Sequence, residues 1–169
     1  MRVMVFSDSH SSFSNLDYAI SYYLPERIFG LGDYEASEYE LEKRGIMGVR
    51  GNSYFDPDLK YDHIFELYNF KILLTHGHTH SVRGGLLSLK LFAKEKNADI
   101  VFYGHTHIAR IDDEDHITFV NPGSITIPFY PAFPTIAIMD IDNYAATIKI
   151  VDAVTFTVYQ ETTIKKDGK

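Results

Sequence analysis

Hydrophobic residues in this chain come in short runs that stop abruptly at polar loops. "RVMVF" (Arg2 to Phe6) halts at "SDSHSS", the mark of a buried strand running into a loop. Phe13, Leu16, Ile20, Tyr23 and Leu24 then recur at helical spacing, with Ser11 or Ser12 placed to cap the start and Pro25 to end it. "RIFGLGD" reads as a second strand, "YEASEYELEKR" as a short charged helix and "GIMGVRGNS" as a third strand. After a loop containing "FDPD", "DHIFELYN" and "FKILLTHGH" suggest a hairpin with a fully buried second strand. "GGLLSLKLFAKEKN" follows as a helix ending near Asn97, then "DIVFYGHTH" as another buried strand.

Beyond "ARIDDEDHITFVNPGS" the helix signals vanish. "TIAIMDI", "ATIKIV" and "TFTVYQETTI" alternate at period two, so the carboxy-terminal third reads as antiparallel strands, with "KKDGK" as a frayed tail. No internal repeat and no low-complexity linker interrupts the pattern. The expected fold is α/β, a four-layer α-β-β-α sandwich of two mixed sheets flanked by helices, with residues 1–169 forming a single domain.

Composition narrows the chemistry. A 45% hydrophobic content over 169 residues suffices for one core. No run approaches the roughly 18 to 20 apolar residues that span a bilayer, and the opening segment lacks the form of a signal peptide, so a soluble cytoplasmic protein is expected. With no cysteine, any metal must be held by imidazole, carboxylate or amide oxygen, which favours Mn, Fe, Zn, Ni or Mg over a zinc finger. A net charge of −7 argues against an extended nucleic-acid surface, though not against a small phosphate ester at a cationic site.

The polar loops carry a constellation. "SDSH" offers Asp8 and His10, "LGD" Asp33, "RGN" Asn52, "THGH" His76, and "YGHTH" His105 and His107. Each follows an apolar run, where layered α/β folds bind ligands. A single D-x-H or H-x-H is usually structural, and "GD" or "GN" alone is usually a turn. All of them together, each behind a strand, point to metal.

The ordered set "DSH", "GD", "GN", "THGH", "GHTH" resembles the calcineurin-like metallophosphoesterases. With "NPGS" (Asn121 to Ser124), the short chain is similar to their small YfcE-type phosphodiesterase branch over residues 1 to about 140. The resemblance implies the metallophosphoesterase fold and two divalent ions, manganese first, with Fe, Zn, Ni or Mg as alternatives. By it Asp8, His10 and His107 would hold one ion, Asn52, His76 and His105 the other, and Asp33 would bridge them. The implied reaction is hydrolysis of a small phosphate ester, as a phosphodiesterase, by a metal-activated hydroxide, with Asn52 and His76 steadying phosphoryl oxygens. Two other readings stay open: a phosphomonoesterase or dinucleoside-polyphosphate hydrolase, and a non-catalytic protein-binding scaffold like the retromer-subunit relatives. A homo-oligomer is also open.

His78 reads as an orienting or substrate-contacting residue, His80 as a loop histidine, and His63 and His116 as surface residues. Arg50 and Arg83 read as solvated arginines, with a substrate contact as the alternative. Two departures from the family stand out. Ser53 replaces the histidine that many relatives place after "GN", and the acidic residue that often follows closely is displaced to Asp56. Phe129, Tyr130 and Phe133 form an aromatic loop that would either pack inward, wall the substrate cleft or mediate self-association.

Overall fold

In the computed structural model, which describes residues 1–166, strands and helices follow in the order β1 (Arg2–Phe6), α1 (Ser14–Tyr23), β2 (Arg27–Gly30), α2 (Glu38–Glu42), β3 (Ile46–Gly48), β4 (Asp62–Leu67), β5 (Phe70–Thr75), α3 (Leu87–Glu95), β6 (Ile100–Phe102), β7 (Ala109–Glu114), β8 (Ile117–Pro122), β9 (Thr135–Ile141), β10 (Ala145–Asp152) and β11 (Val158–Lys165). Two short 3₁₀ turns, His78–His80 and Val82–Gly84, lie between β5 and α3.

The strands form two mixed sheets. One has the order β11-β10-β9-β1-β2-β3 and the other β4-β5-β6-β8-β7. β1, β2 and β3 run parallel in the first, as do β5, β6 and β8 in the second, while hairpins supply the antiparallel edges.

Period-two side chains explain the layering. In β1, Val3 and Val5 face the second sheet and join Ile72, Leu74, Ile100, Phe102 and Val120 in the central core. Met4 and Phe6 point the other way, against Leu16 and Ala19 of α1 and Leu41 of α2. On the far side, Leu73, Val101 and Phe119 pack on Leu89 and Ala93 of α3. Three apolar interfaces thus join four layers, and a strand covered on both faces must be apolar throughout, which is why these runs lack alternation. Among the described residues no helix is long and apolar enough to cross a membrane.

Two local expectations need correction. Neither Ser11 nor Ser12 caps α1. The helix starts after Phe13 with no side-chain cap; Ser11 holds a left-handed backbone, and its Oγ donates to the Glu35 carbonyl. In α3, Leu87 and Leu91 are exposed, and one buried stripe through Leu89 and Ala93 docks the helix. The tail is ordered further than expected: Lys165 is the last residue of β11, and Lys166 bonds Asp99 at 2.6 Å. The rest of "KKDGK", residues 167–169, lies outside the described residues.

Candidate metal centre

The seven expected site residues meet at the carboxyl ends of β1, β2, β3, β5 and β6. Asp8, His10 and His107 form one cluster, and Asp33, His76 and His105 another; within each, one ligand atom per residue lies within 4.8 Å of the others. Each cluster draws on both sheets. Asp8, His10 and Asp33 follow strands of the six-stranded sheet, and His76, His105 and His107 follow strands of the five-stranded one. Asn52 joins the second cluster, its Oδ1 3.0 Å from His76 Nε2.

Tautomers follow from the partners on the far side of each ring. His76 Nδ1–H donates to the Leu31 carbonyl and His107 Nδ1–H to the Ile127 carbonyl, each at 2.6 Å, and His10 Nδ1–H donates to Glu35 Oε1 at 2.8 Å. Those partners are acceptors, so in the neutral rings all three Nε2 atoms carry bare lone pairs. Yet His10 Nε2 and His107 Nε2 sit 3.4 Å apart, and His76 Nε2 lies 3.2 Å from His105 Nδ1 and 3.5 Å from Asp33 Oδ2. Asp8 Oδ1 is buried with no hydrogen-bond donor. Acceptors converging on acceptors repel unless protons or a cation come between them. The oxygen and imidazole donor set, without thiolate, fits divalent first-row metals, and the orienting Glu35, Leu31 and Ile127 oxygens are the outer partners such ligands ordinarily have.

Charge among these side chains is arranged accordingly. Burial pushes the Asp33 carboxyl up, but His76 and the N–H groups of Ser53 and Asn52 outweigh it and hold it well below the usual carboxylate range. Burial likewise opposes the His76 imidazolium, and Asp33 and Asp8 raise its pKa in spite of that. Hydrogen bonding to Asp8 raises His107 against its burial. His105 goes the other way, to about 4, through burial and the nearby His76 and Arg83 charges.

The backbone is shaped to the site. Asp8, His10, Asp33, His105 and His107 all have φ between +41° and +68°, a region that typically costs a non-glycine residue on the order of 1–3 kcal/mol and persists only where its surroundings enforce it. Two glycines supply the closeness this needs: a Cβ on Gly51 would collide with the Asp33 backbone, and one on Gly104 with Ser7 Oγ.

Two further carboxylates belong to the centre and have no local sequence signal. Glu35 holds His10. Asp56, buried, accepts the backbone N–H groups of Asp33 and Gly51 on Oδ2 and those of Tyr34 and Glu35 on Oδ1. Its place five residues beyond Gly51 is thus structural. "NPGS" braces the same loops: Asn121 Nδ2 donates to the Gly104 carbonyl and Ser124 Oγ to the Asp8 carbonyl.

The remaining candidates separate. His78 is half-buried, its ring centroid 5.3 Å from that of His76 and its Nδ1 without a partner. His80 faces Asp62 at 3.4 Å and stacks on Phe92, a structural role. His116 is exposed and His63 half-buried in β4. Arg50 pairs with Asp58 at 2.6 Å, whereas among the described residues Arg83 donates only to the His105 carbonyl, at 3.4 Å. The aromatic loop divides: Phe129 stands beside the centre, Tyr130 is exposed, and Phe133 packs edge-on against Tyr159.

A layered α/β fold with this donor set defines a metallophosphoesterase. Residues 1–144 match the calcineurin-like phosphoesterase superfamily domain, and the chain belongs to that superfamily. It is 32% identical over 154 residues to the probable metallophosphoesterase YsnB of Bacillus subtilis, covering 90% of this chain and 91% of that one. It is 26% identical to the phosphodiesterase MJ0936 of Methanocaldococcus jannaschii, over 85% and 95% of the two chains. A predicted phosphoesterase from Streptococcus pneumoniae superposes with a TM-score of 0.85 at 28% identity, covering 98% and 97%. Vacuolar protein sorting 29 from Cryptosporidium parvum shares the fold with a TM-score of 0.81 at 22% identity, covering 98% of each chain.

Proposed function

We propose that this metal-dependent phosphoesterase is a phosphodiesterase with a dinuclear centre, manganese being the first ion to test. Asp8, His10 and His107 hold one cation, Asn52, His76 and His105 the other, and Asp33 lies between them. The observation that carries the reading is the pair of carboxylate and imidazole clusters, with three Nε2 atoms turned inward by their outer hydrogen bonds and a buried Asp8 oxygen lacking any donor. Two divalent ions supply a water that ionises near neutral pH and positive charge for the phosphoryl oxygens.

The chain's own residues supply position. Asp33 Oδ1 is tied by the N–H groups of Asn52 and Ser53, each at 2.8 Å, so Oδ2 is the oxygen turned to the cations. Asn52 is exposed at the lip, and with its Oδ1 toward His76 its amide N–H₂ is left to donate to a phosphoryl oxygen. His76, fully buried and fixed by Leu31, cannot swing away. All seven positions are filled, which favours catalysis over a purely scaffolding role; a small substrate suits the net charge of −7.

The test is to strip the protein with chelator, restore Mn²⁺, and assay bis(p-nitrophenyl) phosphate against p-nitrophenyl phosphate while counting bound ions. Activity should vanish and return, with two ions bound and the diester preferred. Asp33→Asn should lower occupancy at both positions, because one neutral amide oxygen cannot replace a carboxylate between two dications. Full diesterase activity in chelated protein, or one ion in active protein, would overturn the reading; preference for the monoester would make the chain a phosphomonoesterase.

A further inference from the structure

Beside the centre lies an open cavity of about 650 Å³ that the metal clusters do not use, within the ordinary size range of small-ligand sites. Leu86, Ile108, Ile127 and Phe129 give it apolar walls, and His107 lines it as well. Phe129 is 75% exposed and Ile127 56%, a concentration of uncovered apolar surface that water solvates poorly.

The walls are fastened to the centre. His107 Nδ1–H donates to the Ile127 carbonyl, and the His107 carbonyl accepts the Phe129 N–H at 2.9 Å. The Ala109 N–H in turn bonds the Tyr130 carbonyl at 2.8 Å. One histidine therefore turns its Nε2 toward Asp8 and uses its other polar atoms to hold the apolar wall. A group in the cavity and a phosphoryl group at the centre would share that residue as a common boundary.

The charges lining the cavity indicate what kind of group enters. Arg110 is paired with Asp112, and Glu114 with Lys90, so these lining charges are neutralised. Arg83 alone of the lining ionic groups has no ion pair among the described residues, and it stands at the His105 end, toward the centre. A site with apolar walls, paired lining charges and one spare cation near the metal centre suits an anion attached to a neutral apolar arm.

Building on the phosphoester reading above, we propose that this cavity receives an aryl-sized apolar ester arm of the substrate, with Phe129 as its principal wall and Arg83 contacting the phosphoryl end. The substrate class is then phosphate esters bearing a bulky apolar substituent, not simple alkyl phosphates.

Binding of phenylphosphonate and methylphosphonate to manganese-loaded protein, followed by calorimetry, tests this without turnover. Burying a phenyl in place of a methyl should tighten binding about tenfold to hundredfold. Phe129→Ser should bring the ratio below about threefold, while Tyr130→Ser, altering an exposed neighbour outside the cavity, should preserve it. Arg83→Gln should weaken both ligands by a like factor; a loss confined to phenylphosphonate would remove Arg83 from the phosphoryl end. Equal affinities for the two phosphonates, or a ratio indifferent to Phe129→Ser, would overturn the cavity proposal even if diesters are hydrolysed. A preference abolished by Phe129→Ser in a protein that cleaves no diester would sustain it while removing the phosphodiesterase reading.

Discussion

The Asp56 carboxylate accepts the backbone N–H of Asp33 at 2.7 Å, so one buried acid sets the position of another. Both Asp56 oxygens are committed, each to two N–H groups. Asp56→Asn would aim an amide N–H₂ at two of those donors. It should destabilise the fold by about 2–4 kcal/mol, the scale of charged hydrogen bonds lost with donors left buried, and should weaken cation binding as well. Denaturant melts and metal titration of the variant check this; unchanged stability would mean the loop holds itself.

Glu35 acts on the centre through His10. Removing its charge with Glu35→Gln leaves a weaker acceptor for His10 Nδ1–H and should lower affinity at the Asp8, His10 and His107 cluster about tenfold to hundredfold. Affinity at the Asp33, His76 and His105 cluster should change little. Stepwise manganese titration separates the two, and an equal loss at both would contradict the assignment.

Cation binding should strengthen with pH. His107 and His76 have raised pKa values in the cation-free chain. Their imidazolium contacts with Asp8 and Asp33 therefore contribute stability fully below the unfolded value of about 6.5 and lose it as pH rises through the raised folded values. The same protons compete with a cation. The rise in Tm on adding manganese should accordingly grow from about pH 6 to pH 8. His105, already drawn down to about 4, takes no part in that window. Calorimetry across the range measures the increment, and a constant value would show that no ligand proton is displaced.

Ser53 predicts a sensitivity to the leaving group. General acid help typically contributes about a hundredfold to ten-thousandfold, and a serine hydroxyl is too weak an acid to give it. Ser53 is further occupied, its N–H on Asp33 and its Oγ beside the Phe55 N–H. His78 is the other nearby imidazole, and burial and His76 lower its pKa, leaving it mostly neutral near pH 7. Rates over a series of aryl and alkyl diesters should fall steeply as the leaving group becomes more basic. A flat series that steepens in His78→Ala would instead make His78 the acid.

The succession of strands along the chain was legible because it is written locally. Val3, Met4, Val5 and Phe6 are apolar without alternation, which marks burial on two faces, and a polar residue directly behind such a run lies at a strand end. What was not legible depends on distant partners. Asp56 clamps a loop about twenty residues away, and Glu35 reaches back twenty-five residues to His10. Neither spacing differs from that of an ordinary surface acid. The α1 start was misplaced for the same reason, since Ser11 bonds Tyr34 through its N–H and Glu35 through its Oγ, not its own helix. The aromatic loop was visible as composition, but only the bonds from His107 and Ala109 decide that Phe129 and Phe133 part company.

Each cluster straddles the two sheets, with Asp8 and His107 ninety-nine positions apart and meeting at 3.2 Å. Neither sheet alone contains a complete set of donors. Because loops of that length close late and contacts between distant segments slow folding, a nascent or partly folded chain has nowhere to lodge a divalent ion until its halves have come together. An ion held by these clusters would therefore be taken up only once the two sheets have met, and would brace the seam between them.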